Sequence, residues 1–174
     1  EASGPRLGDL VGARIINGVK TGLNEAFIVD GALRDCLVAD DPRSAEVLRP
    51  ALVGDDIKRY ELHSRRSFLL YVRWDTEIRQ YPAILRWLGR HRARLEQRDS
   101  VKNSAACPWY ALSRPRPESQ ILYEGPKIAY PDITKESRFA MDTRGQYVGE
   151  TAFIIPGENW YLLAVLNAAA VWWY

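Results

Sequence analysis

At 174 residues, 47% hydrophobic and 26% charged, the chain has the makeup of one soluble domain with a real core, and disorder is excluded as its default state. A net charge of +2 is too small to imply a nucleic-acid partner by itself, so any electrostatic role rests on how the charges are distributed. Cys36 and Cys107 read as incidental thiols rather than a disulfide framework, and His63 and His91 lack partners at zinc-ligand spacing.

The longest apolar run, Leu162 to Trp173 interrupted by Asn167, is too short to span a bilayer, and the sequence opens on no signal peptide. Cytoplasmic location without a membrane partner is the expectation. Residues 10–16 are short and partly alternating, and Asn17-Gly18 predicts a tight turn. Gly18 and Gly22 flank Lys20 and Thr21, which lets backbone approach a partner with a cation and a hydroxyl to hand. Lys20, Thr21 and Asn24 are therefore candidate contacts, and a plain hairpin is the competing reading. Residues 26–29 look strand-like. Asp30 to Val38 predicts a helix burying Leu33, Cys36 and Leu37; Asp41 to Leu48 predicts another, opened by Pro42 and ended by Pro50. Residues 54–60 lead into a strand, with a second at 68–72.

From Tyr81 to Arg98 the period becomes helical: Tyr81, Ile84, Leu85, Leu88 and Leu95 share a face, and Arg86, Arg90 and Arg94 recur on the opposite one. That stripe suits a phosphate backbone, and it suits a solvated face equally well. Residues 99–119 are irregular, interleaving Trp109 and Tyr110 with Arg114 and Arg116, a mixture fit for bases and phosphates or, for the aromatics, for packing on the core.

Between Lys127 and Ile155, short apolar stretches alternate with the turn signals Pro131-Asp132 and Asp142-Thr-Arg-Gly145. This predicts an antiparallel meander with Lys127, Asp132, Lys135, Arg138, Arg144 and Gln146 on its connections. Asn159 is a plausible N-cap for a final helix, Trp160 to Tyr174, apolar nearly all round and expected to cover the sheet. The fold class expected is α+β: a twisted, mostly antiparallel sheet with flanking helices, the basic one near its rim.

No catalytic set is found. Pro131-Asp132 with Lys135 and Glu136 resembles a metal-dependent nuclease site, but the lysine follows too soon and a second acid is missing. The Asn-Pro-Pro-aromatic motif of amino-methyltransferases and a glycine-rich cofactor loop are both missing from the sequence. The chain opens at Glu1 without methionine and stops at Trp172-Trp-Tyr174, so residues 1–174 are expected to form one domain excised from a longer polypeptide.

Thr21-Gly-Leu-Asn-Glu-Ala-Phe27, Asp41-Pro-Arg-Ser-Ala-Glu-Val47, Gly54-Asp-Asp-Ile-Lys-Arg-Tyr60, Tyr81-Pro-Ala-Ile84, Trp109-Tyr110, Lys127-Ile-Ala-Tyr-Pro-Asp132 and Tyr161-Leu-Leu-Ala-Val-Leu-Asn167 with Val171-Trp172 follow in that order. The set resembles the TaqI-like C-terminal specificity domain, the target recognition domain of adenine-N6 DNA methyltransferases and of type IIG restriction–modification enzymes, from about Gly18 to the end.

That resemblance implies recognition of double-stranded DNA here, with S-adenosylmethionine and the catalytic loop in a methyltransferase domain of the same polypeptide, and Mg2+ if a nuclease is fused. No cofactor is expected within these residues. Arg59, Arg86, Arg90 and Lys135 are expected on phosphates, and Asn24, Arg114, Arg116 and Lys127 on base edges. The rival readings are a metal-dependent nuclease using Asp132 and a non-catalytic module whose arginines meet an acidic protein.

Overall fold

The computed structural model describes residues 15–63 and 65–172. Their strands are β1 (Ile16–Asn17), β2 (Ile28–Val29), β3 (Leu48–Leu52), β4 (Ser67–Leu70), β5 (Lys127–Pro131), β6 (Ala140–Asp142), β7 (Tyr147–Val148) and β8 (Ala152–Pro156). The chain divides into two compact units. The first gathers residues 15–18, Val53–His63 and 118–172; the second gathers Val19–Leu52 and 65–117.

In the first unit the strands run β1-β8-β5-β6, each neighbour antiparallel. The expected meander would have set β8 beside β6; instead β8 returns to the far side of β5, pairing Ile128 with Ile155 and Tyr130 with Phe153. Burial explains the order. Lys127, Ile128 and Ala129 are all fully buried, so β5 belongs in the middle with partners on both edges. The helix Trp160–Leu166 covers this sheet as expected, with Leu162, Leu163 and Leu166 against Ile128 and Ile155. Asn159 caps it, its side chain accepting from the Leu162 N–H at 2.8 Å. A second short helix, Ala169–Trp172, follows, and the last two residues of the predicted helix lie outside the described residues.

Asn17-Gly18 is not a tight turn. Asn17 pairs with Phe153 in the sheet, and the Gly18 N–H continues the ladder to the Ala152 carbonyl at 2.9 Å. A Cβ on Gly18 would lie 2.0 Å from the Gly149 carbonyl oxygen, so the glycine serves close backbone approach. Residues 10–14 of the predicted first strand lie outside the described residues. The turn at Asp142–Gly145 forms as expected, with Gly145 left-handed at φ +70°.

In the second unit β2, β4 and β3 pair antiparallel in that order. Residues 26–29 divide between the helix Asn24–Phe27 and β2. The helix Gly31–Asp40 forms with Asp30 as its N-cap, burying Leu37 but leaving Cys36 exposed and Leu33 half-buried. Pro42–Val47 is a 3-10 turn that passes directly into β3, so Pro50 sits in a strand rather than ending a helix. The 81–98 pattern resolves into Pro82–Gly89 and Arg92–Glu96, broken at Arg90 and His91 beside Gly89. Of its predicted apolar face, Ile84, Leu88 and Leu95 are fully buried and Tyr81 and Leu85 half-buried.

The α+β class thus holds, with antiparallel pairing in the ladders of both units. The single sheet expected is replaced by one in each unit.

Candidate nucleic-acid interface

The second unit contains a cleft of about 500 Å³ lined by the cations Lys20, Arg98 and Arg114, the acid Asp99, and Gly22, Gln97, Ser100, Asn103 and Ser113. Two sequence candidates meet there. Lys20 and Arg114 form an antiparallel bridge, the Arg114 N–H donating to the Lys20 carbonyl at 3.0 Å, and both side chains are exposed. Gly22 makes the approach possible: at φ +75°, a Cβ there would lie 2.1 Å from the Ser113 hydroxyl.

Arg98 holds the cleft together, and sequence reasoning assigned it no such role. It is 8% exposed, and its guanidinium donates to the carbonyls of Leu95, Thr21, Trp109 and Ala111 and to the Ser113 hydroxyl. Those acceptors match the five N–H donors of an arginine, and the Phe27 ring lies 5.4 Å from its centre. Burial pushes its pKa below the ordinary guanidinium value, while the chain carbonyls around it stand in for a counter-ion. The signal in the sequence was its spacing: Arg98 follows Leu95 by three, continuing the buried stripe.

The other candidates fare differently. Thr21 is 1% exposed, its hydroxyl donating to Asn24 at 2.6 Å and accepting from the Leu23 N–H; that local closure removes Thr21 as a contact and leaves Asn24 exposed. Trp109 and Tyr110 are half-buried, packed edge to face at 5.8 Å, and Arg92 sits 4.9 Å over Trp109. Arg116 is left-handed at φ +51°, half-buried, with its Nε enclosed and without a hydrogen-bond acceptor.

Along the basic stripe, Arg86 is paired with Asp40, Arg94 with Glu25, and Arg92 with Glu96 at 2.7 Å. Arg90 remains exposed, 5.7 Å from the Trp87 ring. The hydrogen bond from Arg94 holds the Glu25 carboxyl below the usual carboxylate range.

In the first unit Lys127 is a clear correction. It is fully buried, its ammonium donating to Asp142 at 2.6 Å and to the Tyr123 and Gly125 carbonyls, so it cannot touch a base. Burial drives its pKa down against the opposing pull of Asp142. Expected on a connection of the meander, Lys127 is instead the first residue of the interior strand β5. Arg59 and Lys135 are exposed, and Arg59 donates to the Asn167 carbonyl at 2.8 Å. Asp132 is exposed, its N–H on the Thr151 carbonyl. Among the described residues no three His, Cys, Asp or Glu side chains are grouped as a metal would need.

Residues 49–174 match the model of the TaqI-like C-terminal specificity domain. The chain belongs to that family. The match begins thirty-one residues (49 − 18) beyond the Gly18 at which the sequence resemblance starts, so Lys20, Thr21 and Asn24 lie outside this TaqI-like span. Among solved structures, the Type IIL restriction-modification enzyme MmeI, determined in complex with DNA, shares the fold at a TM-score of 0.67 and 13% identity. The likeness covers 90% of this chain and 21% of the MmeI chain. The TaqI-like chain therefore spans about a fifth of that enzyme's length.

Proposed function

We propose that this specificity domain recognises a particular sequence in duplex DNA for a restriction–modification enzyme, as an adenine-N6 methyltransferase alone or fused to a nuclease, with the chemistry performed elsewhere in the polypeptide. The observation that carries the reading is the cleft in which Lys20 and Arg114 are presented side by side on a framework locked by Arg98. Family membership and the MmeI complex support it. Arg114, with its rigid planar fork, suits the O6 and N7 edge of a guanine, while Lys20 suits a flanking phosphate. Arg90, Arg59 and Lys135, exposed on their units, suit the backbone.

With Lys20, Arg98 and Arg114 against the single carboxylate of Asp99, the cleft has an excess of positive charge that does not suit a sulfonium cofactor, and no carboxylates are grouped for Mg2+ among the described residues. S-adenosylmethionine and any metal are accordingly assigned to other domains of the parent, and no step is routed through them here. A cytoplasmic setting follows from that role; no helix among the described residues is long and apolar enough to cross a membrane.

The test is selection of duplexes from a random-sequence pool by the full-length polypeptide and by its Arg114→Ala variant. The wild type enriches one sequence, and the variant relaxes one position of it, losing about 1–3 kcal/mol of discrimination there. No enrichment by the wild type would sink the reading.

A further inference from the structure

The first unit carries a second feature aimed at solvent. Residues 58–61 form a narrow hairpin tip, closed by the Ile57–Leu62 bridge and by the Lys58 N–H on the Glu61 carbonyl at 2.9 Å. Its root is fixed: Ile57 and Asp56 are fully buried, the Asp56 carboxylate accepts from the Val53 N–H at 3.0 Å, and the His63 N–H donates to the Asp56 carbonyl. At the apex Tyr60 is left-handed, φ +66°, in a turn position that ordinarily takes glycine. Tyr60 is nonetheless 52% exposed, with the Arg59 guanidinium 5.5 Å from its ring centre.

Buried Asn167 holds this conformation. Its carbonyl accepts from Arg59, and its side-chain amide clamps Phe139, donating to the carbonyl at 2.8 Å and accepting from the N–H at 3.2 Å. The same Phe139 carbonyl accepts the Tyr60 N–H at 2.9 Å. An unfavourable backbone is thus held by several bonds to keep an apolar ring in water, the reverse of what stability alone would select.

We propose that this tip enters a groove of duplex DNA, placing the Tyr60 ring against a base or its sugar and Arg59 on the adjacent phosphate. The inference rests on the DNA-recognition reading above and adds a contact that reading does not contain. Two features favour nucleic acid over a protein partner. A two-stranded ribbon is narrow enough for the major groove, and consecutive cations at Lys58 and Arg59 beside a planar ring match the alternation of phosphate and base, while the tip's one acid, Glu61, lies 2.9 Å from the His63 Nε2.

The full-length polypeptide is assayed by fluorescence anisotropy on random-sequence duplexes and on whichever duplex the pool enriches, alongside Tyr60→Gly, Tyr60→Ala and Tyr60→Trp. A 2-aminopurine scan of the enriched duplex reads stacking directly. Tyr60→Gly is expected to hold or raise the thermal midpoint, since the left-handed backbone suits glycine, while weakening duplex binding about ten-fold or more. Tyr60→Ala weakens binding similarly, Tyr60→Trp retains it, and one 2-aminopurine position loses its response only when the ring is removed. Wild-type affinity in the glycine and alanine variants overturns the tip contact while leaving DNA recognition standing. Normal duplex binding with a newly protease-sensitive full-length chain assigns the tip to a protein contact and also overturns it. A wild type that binds no duplex removes both readings together.

Discussion

At the residue scale, Arg98 shows why a cation can be buried without a carboxylate. Each N–H of the fork meets a chain carbonyl or a hydroxyl, and those acceptors come from segments near residues 21, 95 and 109–113. A lysine has three donors on a point and cannot reproduce that fork. Arg98→Lys is expected to cost about 2–4 kcal/mol in a urea unfolding series, because several buried carbonyls lose their partner; a variant within error of wild type would contradict the assignment. Glu25 makes the complementary prediction for pH. Arg94 lowers its pKa in the folded chain, so the pair's contribution is present above the ordinary value of 4.5 and fades as pH falls through the folded one. Carboxyl NMR titration should place Glu25 below 4.5 in the wild type and return it toward that value in Arg94→Ala.

At the element scale, the edge strand β1 depends on a glycine for its fit. A methyl at Gly18 would meet the carbonyl oxygens of Gly149 at 2.0 Å and Val148 at 2.6 Å, both backbone and neither able to swing aside. Gly18→Ala should therefore lower stability by about 2–4 kcal/mol, read as a fall in the urea midpoint at unchanged slope. The broken basic helix carries a different lesson. Its arginines are unequal, since Arg86 and Arg94 are held by Asp40 and Glu25 whereas Arg90 stacks on Trp87 and faces solvent. Arg90→Ala in the full-length polypeptide should weaken duplex binding uniformly across sequences and reduce the salt slope by about one. Arg86→Ala should change both less.

At the scale of the whole molecule, the α+β class, the buried stripe from Ile84 to Leu95 and the covering helix on Leu162, Leu163 and Leu166 were all legible from periodicity. Strand order was not, because β5 reads like an edge strand until the burial of Lys127 places it centrally. Side-chain availability was equally hidden. Lys127 and Lys20 look alike in the sequence, yet one is sealed against Asp142 and the other stands exposed beside Arg114. Thr21 differs from Asn24 only through a hydrogen bond that closes on itself. The lysines are told apart by long-range packing that no local pattern encodes, whereas the Thr21 closure is local and spans three residues.

The cleft draws its walls from residues 20–22 and 97–114, and the stretch Val53–His63 of the other unit lies between them in the chain. Genetic exchange acts on contiguous stretches. A recombination breakpoint anywhere between Leu23 and Glu96 would join half of one ancestor's cleft to half of another's, parting Arg98 from the 20–22 segment whose Thr21 carbonyl it holds, while its bonds to Trp109 and Ala111 stay on its own side. Natural or engineered chimeras that keep a working cleft should therefore inherit Lys20 through Arg114 as a single block.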